Sequence, residues 1–375
     1  MNFGFSEEQE LLRQEVRKLL DAQAPMETVR AIAETPEGFS RDLWKQMGEL
    51  GWLGLTIPES YGGAGLGMVD LVVVLEETGR SLLPSPLVAT TLAAAAIRDF
   101  GSEAQRARWL PRLADGSLIG TIAVQEADDR LDPAGVRLTG RRDGDGWRLT
   151  GEKIEVLDGG VADLFVVAFR TGAGDDEIAL AVVERGAPGL EPRTTPSIDR
   201  TRRVARVRFE DVAVAADAVL PAPGAPAFAR LLDRAAAVVT AETIGAAEAA
   251  LRLTVDYARE RVQFGSPIGR FQGVKHPLAE MHVDVESFKS LLYYAAWCLD
   301  QDDPETPRFV SMAKAYAGEA FARIGIDGVQ LHGGVGFTWE YDIQMYLKRS
   351  KWARAAFGDP DHHYDRVARL RVGAN

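Results

Sequence analysis

The chain has 375 residues, 46% of them hydrophobic, which is enough for two or three domains with substantial cores. Its formal net charge of -12 argues against a general nucleic-acid or anionic-membrane binder, because both need a positive field. Cys298 is the only cysteine, so an intrachain disulfide and a cysteine-based metal site are excluded. The N-terminus shows no basic and apolar leader pattern, and no apolar run approaches the roughly 18 residues that span a membrane. A cytoplasmic protein is the expectation.

Three zones succeed one another. Residues 1–116 read as a helical domain. Ser6 is placed to cap a first helix with Gln9 as its capping-box partner, and Leu11, Leu12, Val16, Leu19 and Leu20 keep helical spacing. Further helical patterns cover Val69–Arg80, Pro86–Asp99 and Glu103–Ala114, after a glycine-rich loop at Pro58–Gly65. Over residues 117–220 the period changes to two. Trp147–Thr150, Leu164–Phe169 and Val204–Phe209 read as strands, with Asp143-Gly144-Asp145-Gly146 as a hairpin turn. Residues 221–375 return to helical texture over about 225–262, 270–301, 305–328, 340–356 and 360–370, which suits a four-helix bundle. The fold class is therefore α+β: a helical domain, a small β-domain, then a helix bundle.

Two passages of the last zone carry a ligand signature. Arg261 and Phe264 lie in Arg-Val-Gln-Phe-Gly, followed by Gln272, and later comes Gln330-Leu331-His332-Gly333-Gly334. Such a set can hold a dinucleotide. Arginine pairs a pyrophosphate in forked geometry, phenylalanine packs on an adenine face, and glycines let backbone N–H groups approach phosphate or ribose oxygens.

These residues resemble the FAD-binding elements of the acyl-CoA dehydrogenase family, and the resemblance runs along essentially the whole chain. Phe5-Ser6-Glu7-Glu8-Gln9, the Leu50–Glu59 strip, Glu76-Glu77-Thr78-Gly79-Arg80 and Tyr257–Gly265 all carry it. It implies FAD as cofactor, an acyl-CoA thioester as substrate and removal of an α-proton and a β-hydride. It also implies a homo- or hetero-tetramer with a homologous subunit and an electron-transfer flavoprotein as acceptor. In the family, the matched Arg261, Phe264, Gln272, Gln330, Leu331, His332, Gly333 and Gly334 reach a neighbouring subunit's FAD.

The chain departs from the family where the chemistry is done. The usual base is a Glu in Tyr-Glu-Gly-Thr; the matching passage is Ala355-Ala356-Phe357-Gly358-Asp359-Pro360, with Phe357 in the Glu position. Phenylalanine cannot take a proton, although the Phe357 backbone N–H could still donate to a thioester oxygen. Asp359-Pro360 reads as the N-cap and first residue of the terminal helix. Glu242 is the alternative base. It sits among Val238, Val239, Gly245 and Ala246 at helical spacing, a carboxylate in an apolar stripe. The alternative is that it pairs with an arginine in a core or subunit interface, or snorkels to the edge. Ala235, Ala236, Ala237 and Ala246 would leave space for a bulky acyl group, or permit close helix packing.

The family's flavin-ring segments are also altered, to Gln125-Glu126-Ala127-Asp128-Asp129-Arg130 and Glu155-Val156-Leu157-Asp158-Gly159. A basic cluster, Lys348, Arg349, Lys351 and Arg354, reads as a solvated helix face or a patch for an anionic ligand. The histidines offer no metal-ligand spacing, so no metal is expected. Two functions stay open: a dehydrogenase with Glu242 as base, or a non-catalytic partner that completes the FAD site of a homologous chain.

Overall fold

The computed structural model describes residues 5–222 and 224–372, apart from the side chain of residue 372. In chain order the helices are α1 (Glu7–Gln23), α2 (Met26–Glu34), α3 (Arg41–Glu49), α4 (Met68–Arg80), α5 (Leu87–Phe100) and α6 (Glu103–Ala114). Strands β1 (Gly120–Ala123), β2 (Thr139–Asp143), β3 (Gly146–Leu157), β4 (Leu164–Arg170), β5 (Ile178–Glu184), β6 (Leu190–Thr195) and β7 (Val204–Val214) come next. Then come α7 (Gly224–Glu260), the short strands β8 (Val262–Gln263) and β9 (Ser266–Pro267), α8 (Gln272–Asp300), α9 (Thr306–His332), α10 (Ile343–Ala355) and α11 (Pro360–Val372).

Local chemistry explains many boundaries. Ser6 and Gln9 form the expected capping box at α1, and Ser102 with Gln105 forms a second, unanticipated one at α6. Asp359 accepts from the His362 N–H at 2.9 Å, the N-cap bond expected of it. The Asp143–Gly146 turn closes the β2–β3 hairpin.

The chain forms two compact units. One comprises Ile32–Gly67 and Pro84–Ala235, the other Met1–Ala31, Met68–Leu83 and Ala236–Asn375. In the first, the sheet runs β1-β4-β2-β3-β7-β6 with β5 beside β4. Strands β1 and β4 are parallel, whereas β2–β3, β3–β7, β4–β5 and β6–β7 are antiparallel. Every residue from Leu164 to Phe169 is buried, and α5 packs on this part of the sheet, with Ala93 against Gly120.

The second unit is a helix bundle built around a close crossing of α4 and α7. A methyl group at Gly79 would lie 2.0 Å from the Glu242 carbonyl oxygen, and one at Gly245 would lie 1.7 Å from that of Glu76. Only glycine fits at either place. Around the crossing lie three buried carboxylates, Glu76, Glu77 and Glu242. Glu77 accepts from Arg17 Nη2 at 2.6 Å and Arg80 Nε at 2.7 Å. Burial alone would raise its carboxyl, but those two guanidiniums outweigh it and hold it below the ordinary range. Glu76 meets Arg13 Nη1 at 2.9 Å and accepts from the Tyr293 hydroxyl at 2.6 Å. Here burial dominates, against Arg13 and Tyr293, and pushes Glu76 up to about 7.

A carboxyl raised in the folded state contributes stability that is full below its unfolded value near 4.5 and is lost as pH rises through about 7. Glu76→Gln should therefore gain on the wild-type chain as pH rises from 5 to 8.5, by on the order of 2–3 kcal/mol at the upper end. Urea unfolding at the two pH values checks this, and an unchanged difference between the chains would refute it.

Candidate functional site

The predicted dinucleotide set sits at one end of the bundle. Tyr257, in the last turns of α7, stacks on His332, the final residue of α9, with ring centroids 4.3 Å apart. The Tyr257 hydroxyl also donates to the His332 carbonyl at 3.2 Å. This link brings the C-terminal ends of α7 and α9 together, and with them the β8–β9 hairpin and the glycine turn. The hairpin tip is Phe264-Gly265, both at positive φ (54° and 73°), and Phe264 is 92% exposed. Its ring meets that of Phe271 edge-on at 6.0 Å. Arg261 is exposed beside it, and Gln272 opens α8 after a short 3-10 turn at Ile268–Arg270.

On the other arm Gln330 is exposed and Leu331 half-buried. Gly333 has φ 65°, and a methyl group at Gly333 or Gly334 would meet nothing within 4 Å. His332 is different: its ring is buried and Nδ1 lies 2.7 Å from the Gly328 carbonyl oxygen. Its side chain is a packing element of the arm. The exposed set is one cation, one aromatic face, two primary amides and an open glycine backbone, the donors and stacking surface that a dinucleotide's phosphates and adenine use.

Glu242 lies mid-way along α7 and is 3% exposed. Its Oε1 accepts from the Thr78 hydroxyl at 3.3 Å, and its Oε2 is 4.0 Å from Arg349 Nη1. The core arginine weighed from sequence is thus Arg349, reached from α10. That placement corrects the reading of Lys348, Arg349, Lys351 and Arg354 as one solvated face or patch. Arg349 is 1% exposed and points inward, because α10 turns that side toward α7, while the other three are half-buried. The small residues have a packing role here: Ala236, Ala237 and Ala246 are fully buried, and Gly245 sits at the α4 crossing.

The remaining motif positions explain themselves locally. Phe357 is buried, with φ 54°, in the turn between α10 and α11. In the β unit, Glu126 Oε1 accepts from Lys153 Nζ at 2.6 Å and from the backbone N–H of Arg137 (2.8 Å) and Leu138 (3.0 Å). Lys153 is wholly buried, and burial pulls its ammonium down against the pull of Glu126. Asp158 takes φ 51° and its N–H donates to the Arg203 carbonyl at 2.9 Å, a tight turn in which Gly159 packs against Val156 and Ala205. Sequence reasoning missed Lys153 as the partner of Glu126, since a lysine in a strand gives no local sign of being buried.

Sequence models for the acyl-CoA dehydrogenase N-terminal, middle and C-terminal domains match residues 6–117, 121–212 and 223–370. The chain belongs to the acyl-CoA dehydrogenase family. It is 34% identical to the acyl-CoA dehydrogenase IpdE2 of Mycolicibacterium smegmatis, over 96% of this chain and 98% of that one. The Tcur3481-Tcur3483 steroid ACAD is similar in structure, at 32% identity and TM-score 0.89 over 98% of each chain. So is the ChsE4-ChsE5 complex of Mycobacterium tuberculosis, at 29% identity and TM-score 0.92 over the full length of each. Acyl-CoA dehydrogenases are FAD-dependent oxidoreductases, and the exposed arms at Arg261–Gln272 and Gln330–Gly334 fit part of that cofactor. No helix among the described residues is long and apolar enough to cross a membrane.

The Glu126–Lys153 pair gives a direct test of its structural role. Lys153→Met strands a buried carboxylate and should cost about 3–5 kcal/mol in urea unfolding, and adding Glu126→Gln should recover most of that loss. Equal stability of the single variant and the wild type would contradict the assignment.

Proposed function

We propose that this chain is a subunit of an FAD-dependent acyl-CoA dehydrogenase that forms the α,β-double bond of an acyl-CoA thioester, with Glu242 as the base. The observation that carries the reading is the buried Glu242 carboxylate, held by Thr78 and facing Arg349, in a chain whose Phe357 has no basic atom. A base must be an anion with a defined direction. Arg349 supplies the countercharge, and Thr78 fixes one oxygen. When bound, FAD accepts the hydride from the β-carbon. The chain's own part is to take the α-proton on Glu242, keep water from that carboxylate by burial, and offer the Arg261 and Gly333 arms to a dinucleotide.

The relatives support a bulky acyl group, since one is a steroid ACAD, and a mixed tetramer, since two neighbours are complexes named by two different chains. An electron-transfer flavoprotein as acceptor and a cytoplasmic location complete the proposal. A second reading is favoured by Phe357 together with the outward-facing Phe264 and glycine turn: the chain completes the FAD site of a homologous subunit and does no chemistry itself.

Two measurements separate the readings. The chain, purified alone and with a homologous partner, is titrated with octanoyl-CoA and a steroid side-chain CoA thioester while the flavin spectrum is followed. In the flavin-loaded assembly, Glu242→Gln should lower turnover by about 10²–10⁴-fold with FAD retained, the range a general base contributes. A turnover unchanged from the wild-type assembly would remove Glu242 as the base and leave the partner reading in place. Phe264→Ala should lower the FAD content of the assembly, yet change the stability of the isolated chain by no more than about 0.5 kcal/mol, as expected for an exposed residue.

A further inference from the structure

The loop that carries the glycine turn is tied to the bundle from a third direction, besides the ends of α7 and α9. It runs from Gly333 to Asp342, between α9 and α10. Its inner end packs closely: a methyl group at Gly336 would lie 2.6 Å from the Val329 carbonyl oxygen and 2.9 Å from His332 Cβ. Its outer end meets the joint of the two arms, where the Tyr341 ring stands edge-on to Tyr257 at 6.2 Å and to His332 at 6.1 Å. The third tie comes from α2. Arg30 Nη2 donates to Asp342 Oδ1 at 2.7 Å, and the Arg30 guanidinium carbon lies 5.2 Å from the centre of the Trp339 ring. The Lys348 ammonium, from α10, lies 4.9 Å from the same ring centre.

Burial of its own rings does not hold this loop, since Phe337 is 76% and Trp339 48% exposed. The ion pair is better shielded. The Arg30 side chain is 16% exposed and that of Asp342 34%, so water screens their attraction less than at an open surface. A cation beside an indole is drawn to the ring quadrupole, which adds to the same tie. Glycines at 333, 334 and 336 widen the choice of backbone conformations, and Gly333 takes φ 65°. A loop of this composition loses entropy when it must adopt one shape, and a ligand that imposes the shape binds more weakly for it. Arg30, 312 positions from Asp342 in the chain, imposes part of that order beforehand.

We propose that Arg30 is a positioning residue for the cofactor: through Asp342 and Trp339 it fixes the Gly333–Phe337 turn in the shape that receives a dinucleotide, without touching the dinucleotide itself. The proposal rests on the reading of the two arms as part of the FAD site. The anchored residues lie directly after the turn and are bonded back to it. The Thr338 N–H donates to the Val335 carbonyl at 3.0 Å and the Tyr341 N–H to that of Thr338 at 3.3 Å, so the turn and its anchors move together.

The test needs no turnover. In the FAD-loaded assembly, Arg30→Gln should speed FAD release, followed by flavin fluorescence on dilution, by about 5–30-fold, the scale for residues that act on a site without contacting it. It should also speed hydrogen–deuterium exchange at the Thr338 and Tyr341 amides, with the interior of α9 unaffected. Either change without the other overturns the proposal, since a tie that only stabilises the fold would leave FAD release alone. Asp342→Asn breaks the same contact, so R30Q/D342N should release FAD no faster than R30Q, and additive losses would count against the coupling. Should R30Q not fold, Trp339→Leu and D342N decide by the same two readouts, and wild-type FAD release in both refutes the proposal. Phe264→Ala separates the two readings. If it leaves FAD release unchanged, the arm reading fails and takes the proposal with it; if it speeds release and R30Q does not, the proposal alone fails.

Discussion

The helix bundle depends on how closely α4 and α7 approach. Gly79 meets the Glu242 carbonyl and Gly245 meets that of Glu76, at distances that leave no room for a side chain. Such an approach excludes water from the carboxylates near the crossing and forces each to find a cation within the protein. The solutions come from different helices: Arg13 and Arg17 from α1, Arg80 from α4 itself and Arg349 from α10. Burying a charge without a partner costs far more than burying a pair, so these contacts restrict which helices can neighbour the crossing. The same crossing that makes the bundle compact sets the environment of Glu242.

A similar economy of buried charge recurs in the β unit. Lys153 and Glu126 neutralise one another, and Glu126 also accepts from two backbone N–H groups, of which that of Leu138 is buried. The glutamate retained within an altered flavin-ring segment thus has a sufficient structural cause. Its persistence therefore gives no support to a flavin contact in this chain. The retained Asp158-Gly159 turn has a local cause of the same kind.

The interior and the surface of the bundle therefore speak to different parts of the chemistry. Arg261, Phe264 and the Gly333-Gly334 turn face outward, free of the packing constraints that govern Glu242. Tyr257 and His332 join them at one end, so a substitution in that stacked pair would disturb both arms together.

Much of the fold was legible because it rests on interactions a few residues apart. The Ser6–Gln9 capping box, the Asp359 cap, the Asp143–Gly146 turn and the helical stripes all depend on neighbours within one turn or one hairpin. The exposure of the two arms at Arg261–Gln272 and Gln330–Gly334 leaves their chemistry as the sequence states it, since exposed residues keep their donors and faces whatever packs behind them. Sequence alone also showed Glu242 as a carboxylate in an apolar stripe and Phe357 as a residue that cannot accept a proton. It had no means of choosing Arg349 for Glu242, Lys153 for Glu126 or Arg30 for Asp342. Each of those pairings joins residues tens to more than a hundred positions apart, and a buried cation looks the same in sequence as a solvated one. Only the crossing angles and depths of packed elements decide which charges leave water, and hence which must meet.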